Sequence, residues 1–81
     1  MIRVAGIPVR LAALTGLALE LHKAADHTLA SRIDRAVDGG ADEIQLQERE
    51  YAELLVAIDR HPVDGLEELR AHLLERLRDS N

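Results

Sequence analysis

The chain has to build its core from leucine and alanine, because it carries almost no aromatic side chains. Of 81 residues, 47% are hydrophobic; fourteen leucines and twelve alanines supply most of that share, and Tyr51 is the single aromatic residue. Leucine and alanine are strong helix formers, and helices bury such residues by packing side by side. The composition predicts a mainly helical domain with little to offer to bases, sugars or flat cofactors that need aromatic stacking.

The length predicts one small domain covering residues 1–81, close to the lower limit for a chain that folds alone. A domain of this size buries only about 60% of its unfolded surface, and its core supplies roughly 3–5 kcal/mol. There is no cysteine, so disulfides and thiolate metal sites cannot add stability. Well-packed helices or association with another chain remain, and we therefore expect a homodimer.

The negative charge is concentrated in the middle of the chain. The formal net charge is −5, and residues 38–68 hold ten of the fifteen acidic residues against only two arginines, Arg49 and Arg60. Nucleic-acid binding requires clustered Lys and Arg, whereas the arginines near the C-terminus alternate with acidic residues. The distribution argues against direct nucleic-acid binding and favours an acidic surface.

One apolar stretch, residues 11–19, raises the question of a membrane or targeting segment. It is nine residues long and ends at Glu20, whereas a spanning helix needs about 20 apolar residues. A secretory signal would also need small residues at a cleavage site, which Ala24-Ala25-Asp26 matches poorly. We expect no membrane span and a cytoplasmic location.

Residues 2–9 alternate in polarity as a strand does, but the phase changes once. Apolar side chains occupy even positions before Ala5-Gly6 and odd positions after it. A β-bulge at Ala5-Gly6 would restore a single apolar face, and Pro8, which has no N–H, confines the segment to a sheet edge. The pattern predicts a strand over about 2–9.

From residue 11 to residue 38 the apolar period becomes helical. Gly39-Gly40 then ends the pattern as a helix cap and turn. A single helix over this range would be about 40 Å long, which is more than a small domain comfortably covers. Thr15-Gly16 and Asp26 are both possible break points. We favour a break near Asp26, which could cap a second helix starting at His27, although one continuous helix stays open.

The second half of the chain predicts a short strand and two helices. Residues 42–46 alternate as a strand, and residues 47–60 have an apolar helical face that stops before Pro62. Asp64 and Glu67 have the spacing of a capping box that opens the last helix. The order is β-α(α)-β-α-α: a mainly α fold with two short strands, about 2–9 and 42–46, and three or four amphipathic helices.

The long helical connection makes the two strands parallel if they pair. A two-stranded sheet is marginal in water, and a copy from a second chain would double it to four strands. This is the main reason to expect a homodimer.

The histidines are the first candidates for chemistry. His22 and Asp26 are four residues apart on a helical face, and His27 is adjacent. Zinc sites need three or four converging ligands, and this spacing supplies two. We interpret the arrangement as a surface pair of His22 with Asp26 and predict no metal site.

Catalytic motifs are also missing. The carboxylates of residues 48–59 lie among arginines as on a solvated helix face, and there is neither a cysteine nor a Gly-x-Ser-x-Gly motif. Gly39-Gly40 precedes a strand, whereas a phosphate-binding loop opens a helix. We predict no catalytic residue and no cofactor site, and therefore no enzymatic activity.

The surplus of leucine suggests an interface. Five leucines between residues 11 and 21 cover more than half of a helical wheel, so part of this surface could meet another chain. The alternative is a central helix enclosed by the domain itself, and Tyr51 likewise fits either a core or an interface. The candidate interface residues are Ile7, Val9, Leu14, Leu17, Leu21 and Tyr51.

The sequence therefore predicts a small, non-enzymatic protein-interaction module. It would be homodimeric and present an acidic helical surface or a sheet edge to a protein partner, as an adaptor-like or antitoxin-like regulator does. The alternative is a nucleic-acid-related regulator, either a helix-turn-helix over 47–78 or an acidic mimic of nucleic acid. For the helix-turn-helix, the acidic start of the second helix is unfavourable, because it would repel phosphate.

Overall fold

The structure is a computed structural model that describes residues 1–79. It is mostly helical with a short sheet, as predicted, and all its elements surround one core. Within residues 1–79 no helix is long and apolar enough to cross a membrane. The elements in chain order are β1 Ile2–Val4, β2 Ile7–Val9, α1 Leu11–Lys23, α2 His27–Asp38, β3 Glu43–Ile44, α3 Glu48–Arg60 and α4 Glu67–Asp79.

The predicted first strand is a hairpin, and the predicted bulge is wrong. Ala5 and Gly6 have φ values of 52° and 84°, which two-residue hairpin turns of type I′ require at both central positions. β1 and β2 pair antiparallel, with Ile2 opposite Val9. Opposite residues share a face, so the turn explains the change of phase: the apolar positions of both strands face the helices.

The sheet has three strands rather than two, in the order β2-β1-β3. β1 and β3 are parallel, with Arg3 opposite Glu43 and Val4 opposite Ile44, and helices α1 and α2 connect them. The parallel pairing is confirmed, and β3 is shorter than the predicted range 42–46. The hairpin supplies the third strand, so the sheet exceeds two strands without a second chain.

The break between α1 and α2 lies where it was predicted, with His27 as the first residue of α2. The N–H of Ala25 donates to the His22 carbonyl at 3.1 Å, and that of Asp26 donates to the Leu21 carbonyl at 2.8 Å. These two bonds form a Schellman motif. Ala25 occupies its left-handed position with φ 62°, and the Asp26 side chain forms no capping hydrogen bond.

The last helix begins later than predicted, and Asp64 does not cap it. Residues 64 and 65 form a turn in which Gly65 has φ 99°. The Gly65 N–H donates to the Glu67 carboxylate at 3.1 Å, and the Leu66 carbonyl accepts the first helical bond, from Arg70 at 2.9 Å. The turn places Leu66 in the core, where it is 1% exposed.

The core lies between the sheet and the four helices. α1 contributes most to it, with Ala13, Leu14, Leu17, Ala18 and Leu21 buried. Residues on the other face of the sheet, Arg3, Pro8 and Glu43, are exposed. α1 is therefore the central helix that the sequence left as an alternative.

Candidate interaction surface

The predicted interface residues divide into two groups. Val9, Leu14, Leu17 and Leu21 are at most 2% exposed and belong to the core. Since the chain's own elements enclose them, they offer no surface to a partner. Ile7 and Tyr51 are half-buried at the margin of the core, so they keep accessible area.

Tyr51 lies where the start of α3 meets the end of α4. The guanidinium of Arg76 is 5.6 Å from the centre of its ring, within the range of a cation–π contact. Leu46, Glu48 and Asp79 complete a depression around this pair. Tyr51 thus packs partly on the core and partly against a charged side chain at the surface.

The outer edge of β2 lacks the donor that an added strand would need. The Arg3 N–H points to β3, where it donates to the Asp42 carbonyl at 2.9 Å. Pro8 lies opposite Arg3, so its backbone faces the open edge. Proline has no N–H there, and the middle of this three-residue edge cannot donate to a partner strand.

The outer edge of β3 is covered by a side chain. The guanidinium of Arg32, on α2, donates to the Gln45 carbonyl just after β3 and to the Glu50 carboxylate on α3. Glu50 is 7% exposed, and its other oxygen accepts the Gln47 N–H at 2.8 Å. Arg32 thereby connects three elements and occupies the edge of the sheet.

The acidic segment 38–68 is mostly solvent-exposed. Of its ten carboxylates, Glu50 pairs with Arg32 and Asp59 pairs with Arg70, at 2.6 Å. The other eight are exposed and form no ion pair within residues 1–79. They are Asp38, Asp42, Glu43, Glu48, Glu53, Asp64, Glu67 and Glu68.

One part of this surface combines charge with apolar area. A shallow groove of about 530 Å³ between the start of α2 and the middle of α3 is lined by Asp26, Thr28, Ala52, Glu53 and Val56. Val56 is 47% exposed. The lining therefore combines apolar side chains with two carboxylates and has no cation.

Helices α3 and α4 pack against each other, as the helix-turn-helix alternative requires. The first turn of α4 carries Glu67 and Glu68, both exposed. In a helix-turn-helix this end of the second helix approaches the DNA bases and phosphates. Two carboxylates there would be repelled by the DNA.

The predicted pair of His22 with Asp26 is wrong. His22 contacts Asp34 instead, with Nε2 2.7 Å from Oδ2, and its Nδ1 lies 3.0 Å from Nδ1 of His27. Within residues 1–79 no group of three or more His, Cys, Asp or Glu side chains is placed to hold a metal ion.

Sequence reasoning missed Asp34 and Arg32 as partners of His22 and Glu50. These pairs are 12 and 18 residues apart, so no local spacing could indicate them. Only the tertiary fold, which places α2 against α1 and β3, brings them together.

Comparison of the chain with protein-family models, with curated protein sequences and with solved structures finds no match.

Proposed function

We propose that the protein is a non-enzymatic interaction module that binds a basic, amphipathic helix of a protein partner in the groove between α2 and α3. The groove has the two properties that such a helix complements. Ala52 and Val56 give its lining apolar surface, and Asp26 and Glu53 give it negative charge. Helices that dock in grooves present apolar residues at i, i+3, i+4 and i+7 with charges beside them.

The observation that carries the proposal is the exposure of Val56 on an acidic helix. An aliphatic side chain that is 47% exposed has no role in the core, and the nearest charges lining the groove are carboxylates. Arg49 and Arg60 lie one turn beyond Ala52–Val56 on α3 and limit the length of negative surface. A partner would therefore place its cations in the middle of the groove.

The sequence suggested two docking surfaces, an acidic helical surface and a sheet edge. The sheet edges are the less suitable of the two. β2 lacks an outward donor at Pro8, and Arg32 covers the end of β3. For this reason we place the docking site on the helices and not on the sheet.

The groove can be tested with a designed peptide probe. The probe is a helix of leucines at i, i+3, i+4 and i+7 with arginines elsewhere, and its control is a scrambled peptide of the same composition. By fluorescence anisotropy we expect the helical peptide to bind better than the scrambled one. Binding should weaken with salt, because exposed charges are screened.

Two matched variants locate the binding site. Glu53→Lys should lower the affinity about 3- to 10-fold, the effect of reversing one charge at an interface rim. Glu75→Lys makes the same charge change at an exposed position of α4 and should leave the affinity unchanged. Equal losses in both variants, or equal binding of the scrambled peptide, would mean that only net charge attracts the probe.

The apolar part of the groove lining is tested separately. Val56→Asp should abolish binding, whereas Leu19→Asp, at a leucine on α1 that is 55% exposed, should not. Binding that survives Val56→Asp would exclude the groove as the site.

The proposal includes a homodimer in the cytoplasm. Its support is the small size of the chain and the exposed Leu19 and Leu11 on α1, 55% and 45% exposed. Sedimentation equilibrium at micromolar concentration measures the state directly. A folded species of 9.0 kDa at every concentration would refute the dimer and leave the groove proposal standing.

A further inference from the structure

Two histidine rings meet at the corner between α1 and α2. His22 lies near the end of α1, and His27 is the first residue of α2. Asp34 is seven residues, about two helical turns, beyond His27, so both lie on the same side of α2. The His22 ring lies between them, with Nδ1 3.0 Å from Nδ1 of His27 and Nε2 2.7 Å from the Asp34 carboxylate.

The orientation of the rings is that of a hydrogen bond. The ring centroids are 5.2 Å apart, longer than the separation of the two Nδ1 atoms by about the width of one imidazole ring. Both nitrogens therefore lie close to the line that joins the rings and point at each other. Two ring nitrogens that bind the same metal ion would both point at that ion and not at each other.

The number of protons in this contact is limited. A neutral imidazole has one N–H donor and one acceptor nitrogen. Because the Asp34 carboxylate accepts from Nε2–H of His22, neutral His22 has Nδ1 as its acceptor. His27 must then donate through its own Nδ1–H.

One added proton leaves the contact intact. His22 as an imidazolium donates through both nitrogens, to Asp34 and to His27, and His27 moves its own hydrogen to Nε2. A second added proton puts an N–H on both facing nitrogens, so two donors and two positive charges meet. The contact then has to open.

We propose that the His22–His27 contact is a proton-operated latch between α1 and α2. The latch is closed when the pair holds no added proton or one, and the second added proton opens it.

The charged groups around the latch are few. Asp34 of α2 accepts from His22, Asp26 precedes His27 in the turn, and Glu20 and Lys23 of α1 pair with each other at 3.5 Å. Within residues 1–79, no charged side chain of the sheet, α3 or α4 forms a hydrogen bond or ion pair with either ring. The first proton has Asp34 as its counter-charge, and the second has no carboxylate partner.

The sign of the pH dependence follows from counting protons. The unfolded chain can place an added proton on each histidine, whereas the closed contact holds at most one added proton for the pair. When the unfolded state binds more protons, stability falls as the pH falls. Because one proton is involved, the folding equilibrium constant can drop at most about tenfold per pH unit.

Nitrogen-15 NMR of the full chain at pH 8 tests the latch. We expect His22 as the Nε2–H tautomer and His27 as the Nδ1–H tautomer. His61 and His72, which form no hydrogen bond in the described residues, serve as references in the same spectrum. If His27 carries its hydrogen on Nε2 at pH 8, the latch is refuted.

Two variants and one added ion complete the test. His27→Gln should reduce the loss of stability on acidification, measured by urea unfolding against the wild type. Asp34→Ala removes the acceptor that keeps the hydrogen of neutral His22 on Nε2, so both tautomers of His22 should then be populated. Equal pH dependence in wild type and His27→Gln would overturn the proposal, as would one equivalent of zinc shifting both rings, because the pair would then be a metal ligand.

Discussion

The end of α1 offers a direct test of how backbone conformation limits the stability of this chain. α1 and α2 end in the same hydrogen-bonding motif, but different residues occupy its left-handed position. In α2 that residue is Gly40 with φ 68°, and in α1 it is Ala25 with φ 62°. A side chain with a Cβ is strained in this region, whereas glycine is not.

Ala25→Gly should therefore stabilise the protein. Removing the left-handed strain gains about 1–2 kcal/mol, and the greater freedom of glycine in the unfolded chain takes back about 0.4–1 kcal/mol. The net gain is roughly 0.5–1 kcal/mol, which corresponds to about 2–8 °C in Tm for a domain of this size. Urea unfolding followed by circular dichroism, with the thermal midpoint as a second readout, measures both quantities.

Two further variants determine whether φ is the cause. Ala24→Gly changes the neighbouring residue, which has φ −87°, and should destabilise by about 0.5–1 kcal/mol. Gly40→Ala should destabilise by a similar amount through strain alone, since a Cβ there meets no atom within 4 Å. If Ala25→Gly lowers stability as Ala24→Gly does, the reasoning from φ is wrong.

Three other changes test the hairpin, the buried ion pair and the core. Ala5→Asn places Asn-Gly in the type I′ turn and should stabilise by about 0.5 kcal/mol, because Asn tolerates positive φ better than Ala; a lower thermal midpoint would contradict the turn. Arg32→Ala leaves the Glu50 carboxylate buried without its cation and should cost about 2–3 kcal/mol in urea unfolding, less than a fully buried pair because Arg32 is partly exposed. Adding Glu50→Gln should restore part of that loss, and no restoration would contradict the pairing. Leu17→Ala, at a fully buried position, should cost about 3–5 kcal/mol, whereas Leu19→Ala should change stability by less than about 0.5 kcal/mol; similar losses in both would contradict the burial assigned to α1.

The helices were predictable because their signals are local. The helical period of apolar residues, the length limit on a single helix and Gly39-Gly40 together located α1 and α2, including the break at Asp26. The long connection between the strands also predicted their parallel pairing. Each of these inferences depends on residues within a few turns of one another.

The hairpin was missed because alternation has the same appearance in two structures. A change of phase fits a bulge in one strand as well as a two-residue turn between two strands. The sequence Ala5-Gly6 lacks the Asn or Asp that usually indicates a type I′ turn. Similarly, Asp64 matched a capping box, but residues 64 and 65 form a turn, Leu66 is buried, and α4 starts at Glu67.

The candidate site was less predictable, because its contacts join distant parts of the chain. The acidic segment was visible in the sequence, but the groove brings Asp26 and Thr28 together with residues of α3 that are more than 20 positions away. The pairs His22–Asp34 and Arg32–Glu50 have no spacing signal. The excess of leucine in α1 indicated that this helix is buried. It did not reveal that Leu14, Leu17 and Leu21 are buried in the core of the chain itself and not in an interface.

A homodimer of this chain would have to form through its helices. Pro8 removes the central donor from the edge of β2, and Arg32 covers the end of β3, so neither edge is suited to strand pairing. A stable interface buries about 800 Å² on each partner, roughly a seventh of the chain's accessible surface of 5305 Å². Leu11, Leu19 and Val56, each about half exposed, cover only a fraction of that area. Any self-association therefore has to bury polar surface as well, and we expect it to be weak and to depend on salt.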